Sequence, residues 1–201
     1  KRICKMKETG THLCCSIGFL TEHQAKILKE AGLDRINHNL NSSRSYYPNI
    51  CSTDTFEQRV ANIKMLQELG FEICSGGIIG MGESKEDVVD MLLELREIQP
   101  EALPINFLLP IPGTPLEHAD ISGLTTEYCL KVLCLARLLV PKSDIRCAAG
   151  REVYFKGKEK DLLRVVDSIF ASGYLTAGGQ GIQDTIRAIE EAGFTYEIES
   201  A

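Results

Sequence analysis

The sequence contains no tryptophan, few aromatic residues (6%) and no uninterrupted apolar run near the roughly 20 residues needed to cross a bilayer. Basic residues are in the minority, since 22 Lys and Arg stand against 28 Asp and Glu for a net charge of −6. This balance offers no electrostatic footprint for nucleic acid. A hydrophobic content of 44% is too high for disorder, and 201 residues are too many for a disulfide-stapled miniprotein. We therefore expect one globular domain over residues 1–201, bound to neither membrane nor nucleic acid.

Several motifs that identify common protein classes are also absent. The chain has no P-loop, no dinucleotide-binding glycine fingerprint, no H-E-x-x-H and no G-x-S-x-G. Its eight cysteines form no C-x-x-C pair, which argues against zinc ribbons and thioredoxin-like chemistry. The N-terminus lacks the apolar segment of a secretory signal, so eight cysteines favour a reducing, cytoplasmic setting. Because the sequence does not begin with Met, we expect either removal of an upstream segment or a piece of a longer protein.

The sequence does contain an alternation of short apolar runs with amphipathic stretches. Six runs predict strands, at residues 13–18, 34–40, 71–82, 104–109, 144–149 and 167–176. Five stretches predict helices, at residues 21–30, 55–69, 88–98, 125–140 and 182–192. Thr21 is the expected N-cap of the first helix, Gly70 stops the second, and Ser84 opens a capping box before the third.

The apolar runs are close to continuous, which is typical of parallel strands buried on both faces. Strand followed by helix, repeated six times, predicts an α/β fold with a single parallel sheet. The candidates are an open doubly wound sheet and a (β/α) barrel.

Polar and thiol side chains fall at the ends of the predicted strands. They are Cys14, Cys15, Asn37, Asn39, Cys74, Asn106, Arg146 and Thr176. Functional residues gather at the carboxyl ends of strands in both architectures, where unpaired polar groups are costly. Each also has a simpler interpretation: a lone Cys as a small buried residue, an Asn as a backbone partner, an Arg as a surface ion pair. Taken together, they predict a ligand or cofactor site.

Five segments share a pattern in fixed order. They are Asn37-His38-Asn39-Leu40, then ICSGGIIGMGE at 73–83, PINFL at 104–108, PGTPL at 112–116 and RCAAGRE at 146–152. In order and spacing they resemble the biotin synthase family of radical S-adenosylmethionine enzymes. Residues 168–170 and 174–176 continue the resemblance towards the end of the chain.

The resemblance implies a (β/α)8 barrel, of which about six units are present here. It implies a sulfurtransferase that inserts sulfur into dethiobiotin, the last step of biotin biosynthesis. The implied cofactors are S-adenosylmethionine with a 4Fe–4S cluster, which generate 5′-deoxyadenosyl radicals, and an auxiliary 2Fe–2S cluster that donates sulfur. The implied partners are a flavodoxin or ferredoxin as electron donor and a second copy of the chain in a homodimer.

The resemblance also implies roles for individual residues. Ligands of the auxiliary cluster are matched by Cys14, Cys74 and Arg146. Contacts to S-adenosylmethionine are matched by Asn39, Asn41, Arg59, Ile78 and Leu109. Contacts to dethiobiotin are matched by Asn39, Asn106 and Thr176, and an amide suits a ureido group because it offers donors and an acceptor together.

The sequence departs from the family pattern at several points. The C-x-x-x-C-x-x-C motif that holds the 4Fe–4S cluster is absent, as is the auxiliary-cluster Cys expected on the strand before Cys14. Asn41 stands where the usual pattern has Asp, and Ala177 replaces a second Thr. Cys15 and Cys147 add thiols beside ligand positions, which leaves the composition of the auxiliary cluster open.

From these departures we expect the C-terminal part of a barrel, with an open sheet edge near Cys14 and no activity of this chain by itself. Three alternatives remain. The chain could be a related radical enzyme of the hydrogenase-maturation or methylornithine type, or a non-catalytic fragment or binding module. It could also be an ordinary barrel aldolase or hydrolase, although no catalytic Lys or metal-binding His and carboxylate set stands at the strand ends.

Overall fold

A computed structural model of the chain describes residues 2–170 and 181–197. Its strands are β1 (Cys14–Cys15), β2 (Arg35–Asn37), β3 (Glu72–Cys74), β4 (Gly77–Ile79), β5 (Ala102–Phe107), β6 (Asp144–Cys147) and β7 (Ser168–Ile169). Its helices are α1 (Arg2–Lys7), α2 (Glu22–Glu30), α3 (Tyr47–Ile50), α4 (Phe56–Glu68), α5 (Lys85–Ile98), α6 (Thr126–Leu139), α7 (Arg151–Tyr154), α8 (Glu159–Leu163) and α9 (Ile182–Glu191).

The strands pair in parallel within one sheet, in the order β1-β2-β3-β5-β6-β7, with β4 beside β5. Because neighbours in the sheet follow chain order, every crossover steps in the same direction and the helices cover one face. A doubly wound sheet would reverse direction part-way. The observed order is that of a barrel wall, and it confirms the prediction of an α/β fold with about six strand–helix units.

The longest predicted strand is interrupted. The run at 71–82 predicts one strand, whereas the structure has β3 and β4 separated by Ser75 and Gly76. A Cβ on Gly76 would lie 1.8 Å from the carbonyl oxygen of Pro104, so the backbone passes β5 at a distance that only glycine allows. Cys74 pairs with Ala102 and Gly77 pairs with Ile105, so β4 continues the line of β3 without an inserted residue.

Most other strands are also shorter than the apolar runs that predict them. β1 and β7 have two residues each, and the predicted strand at 167–176 continues beyond the described residues. β5 has the predicted length of six residues but begins at Ala102, two residues before the predicted start. After β2 and β6, burial continues beyond the last paired residue, at Leu40 and Ala148, whereas Ile17 after β1 is exposed.

The helices begin where their capping residues indicate. The N-terminal backbone N–H groups donate to the hydroxyls of Thr21, Thr55, Ser84 and Thr125. The first three of these caps form reciprocal capping boxes, with Gln24, Gln58 and Asp87. Gly70 follows the second long helix in a left-handed conformation, φ 79°, as its stop signal predicts. Within the described ranges, no helix is long and apolar enough to cross a membrane.

On β2 and β6 the two faces of the sheet differ in polarity, which corrects the expectation of burial on both faces for these strands, whereas β5 is buried at five of its six positions. On β6, Ile145 and Cys147 are fully buried against the helices, whereas Asp144 and Arg146 are half-buried. β2 repeats this alternation around buried Ile36. Successive side chains of a strand point to opposite faces, so the polar set lines the concave side of the wall. We call this concave side the lumen face.

Carboxylates anchor three strand starts in the same way. A backbone N–H at one strand donates to an acidic side chain that lies just before the next strand in the sheet. These bonds join Leu13 to Asp34 (2.8 Å), Ile73 to Glu101 (2.6 Å) and Ile145 to Asp167 (2.8 Å). They lock the relative position of neighbouring strands at the end of the sheet opposite the predicted site.

Candidate functional site

The three residues that match cluster ligands lie on the lumen face. Cys14 opens β1, Cys74 ends β3, and Arg146 lies within β6. Cys74 is buried (6% exposed) but does not belong to the apolar core under the helices. Cys14 is exposed at the edge of the sheet, where β1 pairs only with β2 among the described strands.

Electrostatic interactions connect these three side chains. The pKa of Cys74 is raised to about 11, chiefly by burial and secondly by the nearby Cys14, while Arg146 and Arg35 act in the opposite direction. The pKa of Cys14 is likewise raised by desolvation and lowered in part by Arg35 and Arg146. Two thiols and two guanidinium groups therefore share one region of the lumen, where each thiolate would face positive charge.

Arg146 is held by its strand neighbours. Its Nε donates to Ser168 Oγ (2.8 Å), and its Nη2 donates to Asp144 Oδ2 (2.7 Å). Ser168 Oγ in turn donates to Asp144 Oδ1 (2.6 Å), which closes a ring of three side chains. The guanidinium is thus oriented in the lumen by contacts that need no bound group.

The two additional thiols lie on the opposite face of the sheet. Cys147 is fully buried in the helix-side core, and burial raises its pKa to about 12. Cys15 is partly buried and packs against the same core. Both follow a lumen-facing residue by one position, so strand alternation turns them away from the region of Cys14 and Cys74.

Asn39 and Asn41 form the turn after β2. Asn39 Oδ1 accepts a hydrogen bond from Gly76 N (3.1 Å), in the break between β3 and β4. Asn41 has φ 70°, a left-handed conformation that Asn adopts more readily than most residues. The backbone N–H of Asn41 donates to Gly76 O (3.1 Å), and the carbonyl oxygen of Asn41 accepts a hydrogen bond from Ile78 N (2.9 Å). This turn therefore closes over the carboxyl end of β3, beside Cys74.

Arg59 supports this turn from α4. Its Nη1 donates to the carbonyl oxygen of Asn39 (3.2 Å), its Nη2 to Asp54 (3.1 Å) and its Nε to Tyr47 Oη (2.6 Å). The Arg59 and Asp54 side chains are both 15% exposed. The guanidinium also lies 5.2 Å from the ring centroid of Phe19. Arg59 thus fixes the Asn39 backbone.

Asn106 lies on the lumen face of β5, opposite Ile78 in the register. Its Nδ2 donates to Gly77 O (3.2 Å) and its Oδ1 accepts from Ala149 N (3.1 Å). The side chain therefore ties β4 to the loop after β6 and is presented at the strand ends. Leu109 follows β5 and is partly buried against the core. Thr176 lies outside the described residues.

Sequence reasoning overlooked an ion pair in the lumen. Arg35 Nε and Nη2 both bond Glu72 Oε2, at 2.9 and 2.7 Å, and Glu72 also contacts His12 Nε2 at 3.2 Å. Arg35 is the register partner of Cys14, and Glu72 lies two residues before Cys74. The period of two along each strand would have placed both charges on the face of the thiols.

The donor chemistry of the lumen fits one side of an iron–sulfur cluster. Cys14 and Cys74 supply two thiols of the type that ligates iron, with Arg146 beside them. Among the described residues there is no group of three or more His, Cys, Asp or Glu side chains that could hold a metal ion. The set therefore fits a cluster only in part. No cysteines in the sequence have C-x-x-x-C-x-x-C spacing, so the sequence lacks the motif expected to hold the 4Fe–4S cluster.

Comparison with known proteins agrees with this geometry. Residues 1–95 match the Radical SAM superfamily, and residues 104–195 match the Biotin and Thiamin Synthesis associated domain. Among solved structures, methylornithine synthase superposes with a TM-score of 0.78 at 18% identity, covering 98% of this chain and 62% of that one. A maturase of the FeFe-hydrogenase superposes with a TM-score of 0.74 at 14% identity, covering 90% of this chain and 44% of that one. The fold is that of the radical S-adenosylmethionine barrels.

Curated relatives identify the family within the radical S-adenosylmethionine barrels. The biotin synthase of Acaryochloris marina is 43% identical over 194 residues, which cover 96% of this chain and 56% of the relative. The biotin synthase of Thermus thermophilus is 51% identical over 168 residues, which cover 83% of this chain and 51% of the relative. The chain belongs to the biotin synthase family. It spans about half the length of the curated relatives it matches.

Proposed function

We propose that this chain is the part of a biotin synthase that holds the auxiliary cluster and the substrate. The enzyme would be a cytoplasmic sulfurtransferase that inserts sulfur into dethiobiotin, and residues 1–201 would form part of one barrel domain. The observation that carries the proposal is the shared lumen region of Cys14, Cys74 and Arg146, on three strands of a sheet whose sequence matches the family.

The chain's own residues suit the binding tasks. Cys14 and Cys74 would hold the auxiliary 2Fe–2S cluster, with Arg146, oriented by Asp144 and Ser168, at a further ligand position. In the complete enzyme, S-adenosylmethionine with a 4Fe–4S cluster would supply a 5′-deoxyadenosyl radical, and the auxiliary cluster would supply sulfur. Because Arg35 and Arg146 place positive charge beside both thiols, they favour the thiolate forms that iron requires.

Substrate and cofactor would meet at the strand ends. Asn39 and Asn106 present amides there, which can donate to and accept from a ureido group. Arg59 would act on S-adenosylmethionine chiefly by fixing the Asn39 turn, with Asn41, Ile78 and Leu109 lining the same edge. Thr176 would contact the substrate carboxylate. Reducing equivalents would come from a flavodoxin or ferredoxin, and the complete protein would be a homodimer.

Anaerobic turnover by the complete gene product that contains this chain tests the proposal. After reconstitution with iron and sulfide, dethiobiotin, S-adenosylmethionine and reductant should give biotin and 5′-deoxyadenosine. Cys74→Ala should abolish biotin but leave 5′-deoxyadenosine, whereas the control Cys147→Ala, altered on the helix side, should retain both products. Absence of biotin from the wild type, or equal effects of the two variants, would refute the proposal. The 201-residue chain by itself should give no 5′-deoxyadenosine.

The role of Asn106 is tested by binding. In the same protein, Asn106→Ala should weaken dethiobiotin binding about ten-fold, because a lost amide partner leaves ureido groups unpaired at a cost of about 1.4 kcal/mol. Binding of S-adenosylmethionine should change less. Calorimetric titration of each ligand distinguishes the two effects, and equal losses would remove Asn106 from the substrate site.

A further inference from the structure

β2 lies between the two strands that carry the thiols and contributes no thiol itself. It pairs with β1 through Cys14 and Arg35, and with β3 through Asn37 and Cys74. Its alternation turns Arg35 and Asn37 to the lumen face and Ile36 to the core. Two polar side chains of this strand therefore lie between the proposed ligand positions.

Asn37 makes a direct contact with one of these thiols. Its Nδ2 lies 3.4 Å from Cys74 Sγ, within the range for an N–H···S hydrogen bond. Cys74 is 6% exposed, so water has little access to compete for its sulfur. The backbone around Asn37 is held in place, because the neighbouring His38 N–H donates to Cys74 O (2.9 Å) and joins the ends of the two strands.

We propose that Asn37 is a positioning residue for the auxiliary cluster, which donates an N–H···S hydrogen bond to the Cys74 sulfur while that sulfur ligates iron. This inference rests on the proposed function, because it takes Cys74 as a cluster ligand. Hydrogen bonds to ligand sulfurs withdraw electron density from the iron and raise the reduction potential of iron–sulfur clusters. Asn37 therefore makes the cluster easier to reduce and limits rotation of the Cys74 side chain.

Asn106 provides a matched comparison within the lumen. It is also an amide on the lumen face, but its hydrogen bonds go to the backbone of Gly77 and Ala149 rather than to a thiol. If an amide anywhere on the lumen face were enough to change the reduction potential of the cluster, substitutions of Asn37 and Asn106 would have equal effects. The structure assigns the contact with sulfur to Asn37.

Redox titration of the cluster tests the proposal with a readout other than turnover. The complete gene product is reconstituted with iron and sulfide without dethiobiotin, and the auxiliary cluster is identified as the absorption and electron paramagnetic resonance signal lost in Cys74→Ala. Asn37→Leu keeps the approximate shape and removes the donor, Asn37→Gln keeps a donor on a longer side chain, and Asn106→Ala is the control.

Asn37→Leu should lower the equilibrium constant for one-electron reduction about five-fold, which is about 40 mV at 59 mV per ten-fold. Release of iron to a chelator should be about five-fold faster. Asn37→Gln should recover part of both effects, and Asn106→Ala should change neither. Equal potentials in wild type and Asn37→Leu would overturn this inference alone. A wild type without a Cys74-dependent signal would overturn the proposed function together with it.

Discussion

At the scale of single residues, His38 shows how neighbours in one motif take opposite roles. Asn37 and Asn39 contact Cys74 and Gly76, whereas the His38 ring is buried (3% exposed) and packs edge-on against Phe19 at 5.0 Å. Its Nε2 is buried and has no hydrogen-bond partner among the described residues. Burial, and secondarily the charge of Arg59, lower the pKa of His38 to about 4. The ring is therefore neutral at physiological pH.

This burial predicts a pH-dependent loss of stability. An unfolded His has a pKa near 6.5, so below that pH the unfolded chain binds a proton that folded His38 does not. From pH 7 to 5 the free energy of unfolding should fall by about 2 kcal/mol through this group. His38→Phe, which keeps an aromatic ring beside Phe19, should remove that share of the slope in urea titrations at the two pH values. The control His118→Gln, at a side chain 91% exposed, should keep it, and identical slopes in wild type and His38→Phe would contradict the account.

At the scale of secondary-structure elements, carboxylates join neighbouring strands at their starts. Asp34 accepts from Leu13 N and also binds Lys7 Nζ (2.7 Å), so it links α1, β1 and β2. The Leu13 N–H, with Lys7 second, holds the pKa of Asp34 below its usual value. A depressed carboxyl pKa stabilises the fold above the unfolded pKa, near 4, and this stabilisation is lost as the pH falls through the folded value.

We therefore expect Asp34→Asn to lower the free energy of unfolding by about 1 kcal/mol at pH 7 and by less at pH 3. The amide can still accept from Leu13 but loses the charge that strengthens this bond and pairs with Lys7. Urea titrations at both pH values measure the difference, with Asp90→Asn, at an exposed position on α5, as the control. A larger effect at pH 3 than at pH 7 would show that the charge is not the cause.

The break between β3 and β4 predicts a severe effect of one methyl group. A Cβ at position 76 would lie 1.8 Å from Pro104 O, an atom of the β5 backbone that cannot move without breaking ladder bonds. Gly76→Ala should lower the free energy of unfolding by about 3 kcal/mol and displace Asn39, which bonds Gly76 N. Gly123→Ala, where a Cβ meets nothing within 4 Å, should remain near wild type in thermal unfolding. Similar melting temperatures for the two variants would disprove the close approach.

At the scale of the whole molecule, the sheet separates stability from chemistry. The apolar core lies between the sheet and the helices, and includes Ile36, Ile145 and Cys147. The thiols, the arginines and their carboxylate partners lie on the lumen face. Adjacent residues of a single strand therefore serve different purposes, one packing in the core and the next facing the candidate site.

Neighbouring substitutions on β6 test this separation. Ile145→Ala removes a fully buried side chain and should lower the free energy of unfolding by about 3 kcal/mol, without altering the spectrum of a reconstituted auxiliary cluster. Arg146→Ala should lower the free energy of unfolding by only about 1 kcal/mol, because it removes the bonds to Asp144 and Ser168, but it should change the cluster spectrum. Denaturation should therefore show the larger effect for Ile145→Ala, and the absorption spectrum of the cluster should show the larger effect for Arg146→Ala. If one variant had the larger effect in both measurements, the two faces of the sheet would not act independently.

Much of the fold could be predicted from local sequence. The capping residues Thr21 and Ser84 and the stop at Gly70 lie at helix ends because their chemistry acts on the nearest backbone groups. The sequence could not show that β3 stops at Cys74, since that break depends on the approach of Pro104 from a strand 30 residues later. It also did not reveal the polar lumen, because scattered charges such as Arg35 and Glu72 become a pair only across adjacent strands.

For the candidate site, the amino-acid sequence shows which residue types are available and, through its motifs, indicates the family. Which of these residues meet depends on how the strands pair in the folded chain. Parallel pairing of β1, β2 and β3 places four side chains next to one another: Cys14, Arg35, Asn37 and Cys74. The alternation of side chains along each strand directs Cys15 and Cys147 to the core. The physical reason is that helix caps depend on neighbours in sequence, whereas the surroundings of a thiol depend on which strands pack beside it.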